Sequence, residues 1–350
     1  MSAGSSGERG GGAAGYDLVM VTHGHAATLP ACLEAVATLE PPPALVTVLD
    51  NASPDGSADT VAAFGGRLPL RLLRSEVNVG FAAGINRCLE EGSSPWVLLL
   101  NPDCAPRSDY VARLLEGVAA RSSGHEIGSV TGLLLRASGP GLEATDTVDA
   151  AGMVVTPSGR HIDRGAGGTE GPRLRRPAWV FGGTGAATLF RREALEDVRY
   201  PDGQVLAESF FAYREDAELA WRLQWRGWRC LFVPVAVAVH LRGLRPERGR
   251  RQPAAVNRLS VRNRFLLRIH CADLHWHLAC LPWWLLRDLA VTGACLTVER
   301  GSLPGLAEAW RGRREALLRR RWVLGRRRVP PRRVARWFRR GGWVEPVEGS

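Results

Sequence analysis

Residues Phe210 to His240 read FFAYREDAELAWRLQWRGWRCLFVPVAVAVH. The carboxylates Glu215 and Asp216 sit where an aromatic loop enters a helical pattern. Acids in a first turn face the positive end of a helix. Leu219, Arg222 and Leu223 follow at helical spacing, and Gly227 is placed to end the helix. Trp228 to Val239 then reads as a buried strand closing on His240. Taken alone the unit has two readings. One is a capped helix and a strand with an incidental histidine. The other is an acid pair and a histidine held at the two ends of a scaffold for chemistry.

The segments upstream weigh on that choice. Asp17 to Thr22 is a short apolar run ending in polar residues, which predicts a first strand. Leu29 to Leu39 carries helical spacing, broken by Pro41-Pro42-Pro43. Ala44 to Leu49 predicts a second strand ending at Asp50-Asn51, and Leu68 to Leu73 a third. Asn78-Val79-Gly80 opens another helix. Pro95 to Leu100 is almost wholly apolar, as central parallel strands are, and ends at Asn101-Pro102-Asp103. Strands alternating with helices predict an α/β, doubly wound sheet. In such sheets ligands sit beyond the carboxyl ends of the strands. Thr22, Asp50 and Asp103 all fall at such ends. Each cluster also has a purely structural reading as a turn or a cap. Asp103 differs in following a buried strand, where a carboxylate needs a partner. A divalent cation on a diphosphate supplies one, because magnesium-type sites combine one or two carboxylates with phosphate oxygens.

Five segments in this order, VLDNASPDGS, NVGFAAGINR, LLLNPDC, FGGTGAATLFRREAL and FFAYREDAELAWRLQWRGW, resemble a family 2 glycosyltransferase of the bacterial rhamnosyltransferase-like subgroup. The resemblance spans roughly residues 16–270. It implies a GT-A fold, a doubly wound, mostly parallel mixed sheet, as a catalytic domain over 16–241. It also implies an inverting, metal-dependent transfer of a sugar from a nucleotide-sugar. L-Rhamnose from dTDP-rhamnose is the donor to test first, and the acceptor is a saccharide or polyprenyl-diphosphate-linked saccharide of cell-wall or surface polysaccharide. By the same resemblance Thr22, Asp50, Asn51, Asn78, Gly80 and Asn101 attend the nucleotide-sugar. Asp103 and His240 hold a divalent cation, Mg2+ or Mn2+. Gly182, Gly183 and Gly185 face the acceptor. Asp216 is the catalytic base, with Glu215 beside it. Two positions depart from the family pattern. Asn101 stands where many relatives have the first aspartate of an Asp-x-Asp signature, and His23-Gly24-His25 replaces a Tyr-Asn-like pair. Those two histidines also admit a zinc role.

The chemistry asks for these residue types. A nucleoside diphosphate leaves with charge that must be stabilised, and the acceptor hydroxyl must lose a proton as it attacks. A metal meets the first need and a carboxylate base the second. The aromatics Phe210, Phe211, Tyr213, Trp221 and Trp225 fit sugar stacking, although i,i+4 spacing of the two tryptophans also fits core packing.

Composition adds a second theme. Hydrophobic residues make up 45%, ordinary for a globular protein. The sequence has no lysine, so all 46 basic residues are arginine. From Arg242 to Arg340, 25 Arg face six acids, or +19, which leaves 11 − 19 = −8 for the remainder. Residues 242–350 therefore read as a basic helical extension suited to an anionic membrane surface. A packed helical subdomain with a solvated arginine face is the other reading. Leu278 to Val298 is apolar and Trp-rich but interrupted by Pro282 and Arg287-Asp288, which suits an interfacial helix better than a spanning one. No helix-turn-helix or RRM signature supports nucleic acid as a partner. Residues 1–15 read as a loose tail without the apolar run of a signal peptide. The seven cysteines are scattered without a C-x-x-C pair. That fits a reducing cytoplasmic location, at the inner face of the membrane. A nucleotidyltransferase, or a non-catalytic nucleotide- or sugar-binding relative, is the alternative reading.

Overall fold

The computed structural model describes residues 15–121, 126–242, 253–339 and 344–347. Apart from Gly15, the expected tail lies outside them, as do residues 243–252 of the arginine-rich stretch. The first half alternates β1 (Tyr16–Thr22), α1 (Leu29–Ala37), β2 (Leu45–Asn51), α2 (Ser57–Ala62), β3 (Leu70–Ser75), α3 (Phe81–Leu89) and β4 (Trp96–Leu100). Then come β5 (Cys104–Pro106), α4 (Tyr110–Ala119), β6 (Ile127–Ala137), β7 (Ala144–Ala150), β8 (Met153–Val155) and β9 (His161–Asp163). They are followed by β10 (Ala178–Val180), β11 (Ala187–Arg191), α5 (Arg192–Asp197), α6 (Glu215–Arg226) and β12 (Arg229–His240). The chain closes with α7 (Ala254–Cys271), α8 (Leu274–Ala279), α9 (Leu281–Thr297), α10 (Leu303–Gly325), α11 (Pro331–Arg339) and β13 (Glu345–Pro346).

One mixed sheet runs in the order β13-β10-β12-β6-β11-β4-β1-β2-β3. Its first half, β4-β1-β2-β3, is parallel, and β11 then joins β4 antiparallel. Alternation explains the two layers of helices. Leu18 and Met20 of β1 share a core with Leu29, Cys32, Leu33 and Val36 of α1. Val19 and Val21 point to the opposite face, where Ala82 and Ile85 of α3 and Leu219 and Leu223 of α6 cover them. A strand buried on both faces must be apolar throughout, and every residue of β1 and β4 is buried.

The helices after Arg242 pack into the same core. Phe338 of α11 lies 4.5 Å, ring centre to ring centre, from Trp221 of α6, and Trp276 of α8 lies 5.7 Å from Trp221. Trp225 donates its indole N–H to the Cys271 carbonyl at 2.8 Å. The basic C-terminal third thus supplies core, and β13 extends the sheet at β10. The sequence offered sugar stacking for Phe210, Trp221 and Trp225, but all three are buried, so only Phe211 and Tyr213 retain partial exposure there. Among the described residues no helix is long and apolar enough to cross a membrane. Helices α8 and α9 nevertheless turn Leu274, Leu278, Trp283, Leu286 and Leu289 outward.

Candidate active site

Register brings the strand ends together. Thr22 is paired with Asp50, and Leu100 with Ala187. Asn101 donates its backbone N–H to the Ala186 carbonyl at 2.9 Å, so the end of β4 meets the glycine loop 182–185. From that loop Gly185 donates to Asp216 Oδ2 at 3.3 Å. A continuous path therefore joins Asp103, Asn101, the glycine loop and Asp216. On the other side His240 is paired with Cys104, and Leu241 donates to the Asp103 carbonyl at 2.8 Å. This puts His240 Nε2 3.3 Å from Asp103 Oδ1. The contact is an ion pair without hydrogen-bond geometry, since Asp103 Oδ1 has no hydrogen-bond partner.

Buried polar atoms without partners are rare in proteins and ask for an explanation. Here Thr22 Oγ1, Asp50 Oδ1, Asn101 Oδ1, Asp103 Oδ1, Thr184 Oγ1 and Glu215 Oε2 are all buried without a hydrogen-bond partner, Asp103 Oδ1 having only the His240 ion pair. These residues come from five segments far apart in sequence, and all lie where the strand ends, the glycine loop and α6 meet. A ligand rich in donors, cations or both would satisfy them.

Other expected site residues serve the scaffold. Asn51 donates from Nδ2 to Asn78 Oδ1 at 2.9 Å and to the Gly80 carbonyl at 3.3 Å, and its Oδ1 accepts from Val79 N at 2.8 Å. Its amide is spent on shaping the 78–80 loop. Gly80 has φ +89°, and a Cβ there would stand 2.6 Å from the Phe211 ring and 2.7 Å from the Phe211 carbonyl. Only glycine fits this contact between the first half and the loop that carries the acid pair. Gly182 and Gly183 are also packing positions, since a Cβ would stand 2.4 Å from Ala220 Cβ and 2.2 Å from Thr188 Oγ1 respectively. A Cβ at Gly185 would reach Asp216 at 3.8 Å without a clash, so of the three this glycine borders the carboxylate directly. His23 Nδ1 lies 2.9 Å from the Asn51 carbonyl at the end of β2, and His25 Nδ1 accepts from His23 N at 3.3 Å. Among the described residues no three His, Cys, Asp or Glu side chains cluster as a self-sufficient metal site.

The acid pair is held under strain. Phe211, Tyr213 and Arg214 all have positive φ, at 64°, 69° and 76°. Such conformations cost on the order of 1–3 kcal/mol each and persist only where the surroundings impose them. Asn263 of α7 imposes them. It is fully buried, and its Nδ2 donates to the carbonyls of Phe210, Ala212 and Tyr213 at 2.9, 2.8 and 2.7 Å. Burial pushes the Glu215 carboxyl up to about 8, with the adjacent Asp216 charge adding to it. Burial also raises Asp216, opposed by backbone N–H donors from Ala217 and Gly185. Two neighbouring carboxyls in one desolvated site hold a single negative charge more easily than two. Asp216, which alone of the two accepts from other residues' N–H groups, is the better seat for it.

Asn263 and Asp149 are missing from the sequence reading. Asp149 of β7 is fully buried and lies 2.8 Å from His240 Nδ1, while Arg242 Nε donates to it at 2.7 Å. A histidine fixed through one nitrogen by a carboxylate presents the other in a set direction, as metal-ligating histidines do. Burial alone would lower His240, but Asp103 and Asp149 override it and raise the imidazole to about 9. Neither residue carries a local signal: Asn263 sits inside a helix and Asp149 inside a strand, with nothing in their neighbours to mark them.

Residues 17–199 match the sequence profile described as Glycosyl transferase family 2. The chain belongs to that family. It is therefore a glycosyltransferase that uses a nucleotide-sugar donor. It is 26% identical over 309 residues to the N-acetylglucosaminyl-diphospho-decaprenol L-rhamnosyltransferase of Mycobacterium tuberculosis, covering 78% of this chain and 90% of that protein. It is 22% identical over 224 residues to the poly-beta-1,6-N-acetyl-D-glucosamine synthase of Staphylococcus epidermidis, covering 64% of this chain and 49% of that one. Among solved structures the glycosyltransferase resembles GalNAc-T7 with UDP, GalNAc and Mn2+, with a TM-score of 0.59 at 13% identity. That match covers 87% of this chain and 57% of the other. It also resembles S. aureus TarS 1-349 in complex with UDP-GlcNAc, with a TM-score of 0.53 at 14% identity over 89% and 90% of the two chains. At such identities the likeness shows the GT-A fold. The sequence expectations of family, fold class and glycosyltransferase activity are borne out.

Proposed function

We propose that this glycosyltransferase moves L-rhamnose from dTDP-rhamnose to a saccharide carried on a polyprenyl diphosphate, with inversion at the anomeric carbon. The observation that carries the catalytic half is the meeting of unpartnered oxygens from Asp50, Asn101, Asp103 and Glu215 beside Asp216. The substrate half draws on the M. tuberculosis relative, whose name gives an N-acetylglucosaminyl-diphospho-decaprenol acceptor and L-rhamnose. Asp216 takes the proton from the acceptor hydroxyl as its oxygen bonds to the anomeric carbon. The bond from that carbon to the diphosphate oxygen breaks in the same displacement. Gly185 N–H and Ala217 N–H hold the carboxylate in place. Glu215, protonated up to about 8, adds no second negative charge near the departing diphosphate. Asp50 and Thr22 lie at the nucleotide end.

The donor set fits a hard divalent cation. Asn101 offers an unpartnered oxygen, Asp103 a carboxylate now facing His240, His240 an oriented nitrogen once a cation displaces its proton, and a diphosphate the remaining oxygens. Such a cation supplies Lewis-acid stabilisation of the charge on the leaving diphosphate. The GalNAc-T7 structure was solved with Mn2+, which supports the same class of ion. Incubation with dTDP-rhamnose, a synthetic prenyl-diphosphate-linked N-acetylglucosamine and Mn2+ or Mg2+ is expected to yield a product heavier by one deoxyhexose. Chelator should abolish it. The Asp103→Ala protein should bind dTDP more weakly in the presence of metal and lose the response to chelator. Donor consumption indifferent to both chelator and Asp103→Ala would remove the metal site, and consumption of a different donor would correct the sugar.

The exposed apolar side chains of α8 and α9, set in the arginine-rich third, support peripheral docking at the cytoplasmic face of an anionic membrane. Truncation is a poor test because α11 completes the core. Sedimentation with phosphatidylglycerol vesicles, reduced by Trp283→Ser with Leu286→Ser, is the expected result. Equal sedimentation of the variant would exclude this face as the docking surface.

A further inference from the structure

Beside the loop that carries the acid pair, a cleft of about 360 Å³ opens between α7 and α9. Arg214, Arg264 and Arg287 line it, with Val261, Ala290 and Val291 forming apolar wall. We propose that this cleft is a diphosphate subsite for the lipid-linked acceptor, the arginines binding the diphosphate and the apolar surface of α9 receiving the first isoprene units. The proposal rests on the lipid-diphosphate acceptor reading above and adds where that group is held.

The cleft gathers more positive charge than negative. Arg264 is 7% exposed, its Nε bonds Asp288 at 3.1 Å, and its Nη2 has no hydrogen-bond partner. Asp288 is also shared with Arg268. Among the described residues Arg214 bonds neutral acceptors, the Ser260 carbonyl and hydroxyl at 3.3 Å each and His161 Nδ1 at 3.4 Å. Arg287 has no ion-pair partner among the described residues and stands exposed at the mouth. Glu299 is the only carboxylate among the lining residues, and Arg160 adds a further charge acting on both Arg214 and Arg287. Crowding shows in the charge balance: burial, then Arg264, lower the Arg214 guanidinium to about 10, with Asp216 opposing and Arg160 and Arg287 adding to the fall. A dianionic or trianionic ligand relieves that repulsion, and planar guanidinium groups bind phosphate oxygens in pairs.

Position narrows the ligand. Arg214 immediately precedes Glu215-Asp216, and its charge acts on Asp216. The cleft therefore lies next to the base, which the acceptor hydroxyl must reach. The same α9 that contributes Arg287, Ala290 and Val291 turns Leu285, Leu286 and Leu289 outward. A ligand with a diphosphate next to a hydrocarbon chain matches both features, whereas a free nucleotide matches only the first.

Isothermal titration of the full-length protein in chelator with farnesyl diphosphate tests the site apart from turnover and apart from the metal. Wild-type protein is expected to bind, and Arg287→Gln to bind about tenfold or more weakly, the worth of one charge-assisted contact. Ala290→Trp, which fills the cleft, should lose binding while unfolding at the wild-type temperature. Farnesol, without phosphate, should not distinguish wild type from Arg287→Gln. Binding unchanged in both variants would overturn the proposal, as would displacement of farnesyl diphosphate by dTDP. If Arg287→Gln loses phosphatidylglycerol vesicles in the same proportion, the arginines serve a general anionic surface and the subsite falls. Protein that transfers sugar but binds farnesyl diphosphate indifferently to these substitutions keeps its activity and loses the site. Protein that binds it as expected yet transfers nothing to a lipid-diphosphate acceptor keeps the site and loses the acceptor assignment.

Discussion

Asp216→Asn is expected to lower sugar transfer by about 10²–10⁴-fold, the usual worth of a general base. Nucleotide binding should persist, because Asp216 is held by the glycine loop and α6 and has no assigned contact with the nucleotide. The same substitution should raise the unfolding temperature slightly. Both carboxyls are raised above their ordinary values, so the folded protein holds more protons than the unfolded chain over that range. Stability from such groups is complete at low pH and is lost as pH rises toward about 8. Removing one carboxylate removes that loss, so an inactive but more stable variant separates catalysis from misfolding. The pH profile gives a second check. With burial raising Asp216, kcat/KM of the wild type should climb through an apparent pKa above the ordinary carboxylate value. An acid limb at the ordinary value of about 3.9, or an Asn variant with full turnover, would take Asp216 out of the mechanism.

The largest structural effect is expected at Arg222→Met. Glu218 is fully buried on α6 and accepts from Arg222 at 2.7 Å, from the Tyr200 hydroxyl and from the His270 side. Arg222 in turn donates to the carbonyls of Val198 and Val205, both at 2.5 Å. Removing the guanidinium strands a buried carboxylate and two carbonyls, which costs about 3–5 kcal/mol. Burial pushes the Glu218 carboxyl up, but Arg222 and His270 override it and hold it far below the ordinary range. Its contribution is therefore present above the unfolded value and is lost as pH falls below it. Denaturant unfolding of wild type and variant at neutral and acid pH should show the gap narrowing in acid. Adding Glu218→Gln to Arg222→Met should recover part of the loss, and a double variant no better than the single one would assign the cost to packing alone.

The acids of this one helix show how far the chain could be read directly. Glu215, Asp216 and Glu218 are equally polar on paper, yet only packing separates the roles. Asp216 faces the glycine loop, whereas Glu218 turns into the core toward Tyr200. Trp221 and Trp225 likewise had two readings, and burial assigns both to the core.

What the sequence determined by itself was local and periodic. Apolar runs that must be buried on both faces marked β1 and β4, Gly227 marked the end of α6, and polar residues after each strand marked the crevice. Those features depend on neighbours in the chain, so they hold before any tertiary contact forms. Tertiary structure decided what depends on distant partners. Asn263 holds the strained loop before Asp216 from 50 positions or more away, and Asp149 orients His240 across 91 positions. The basic third became part of the core because Phe338 and Trp276 find Trp221. A hydrogen bond or a ring contact needs two groups within a few ångströms, and only the folded chain sets which two those are.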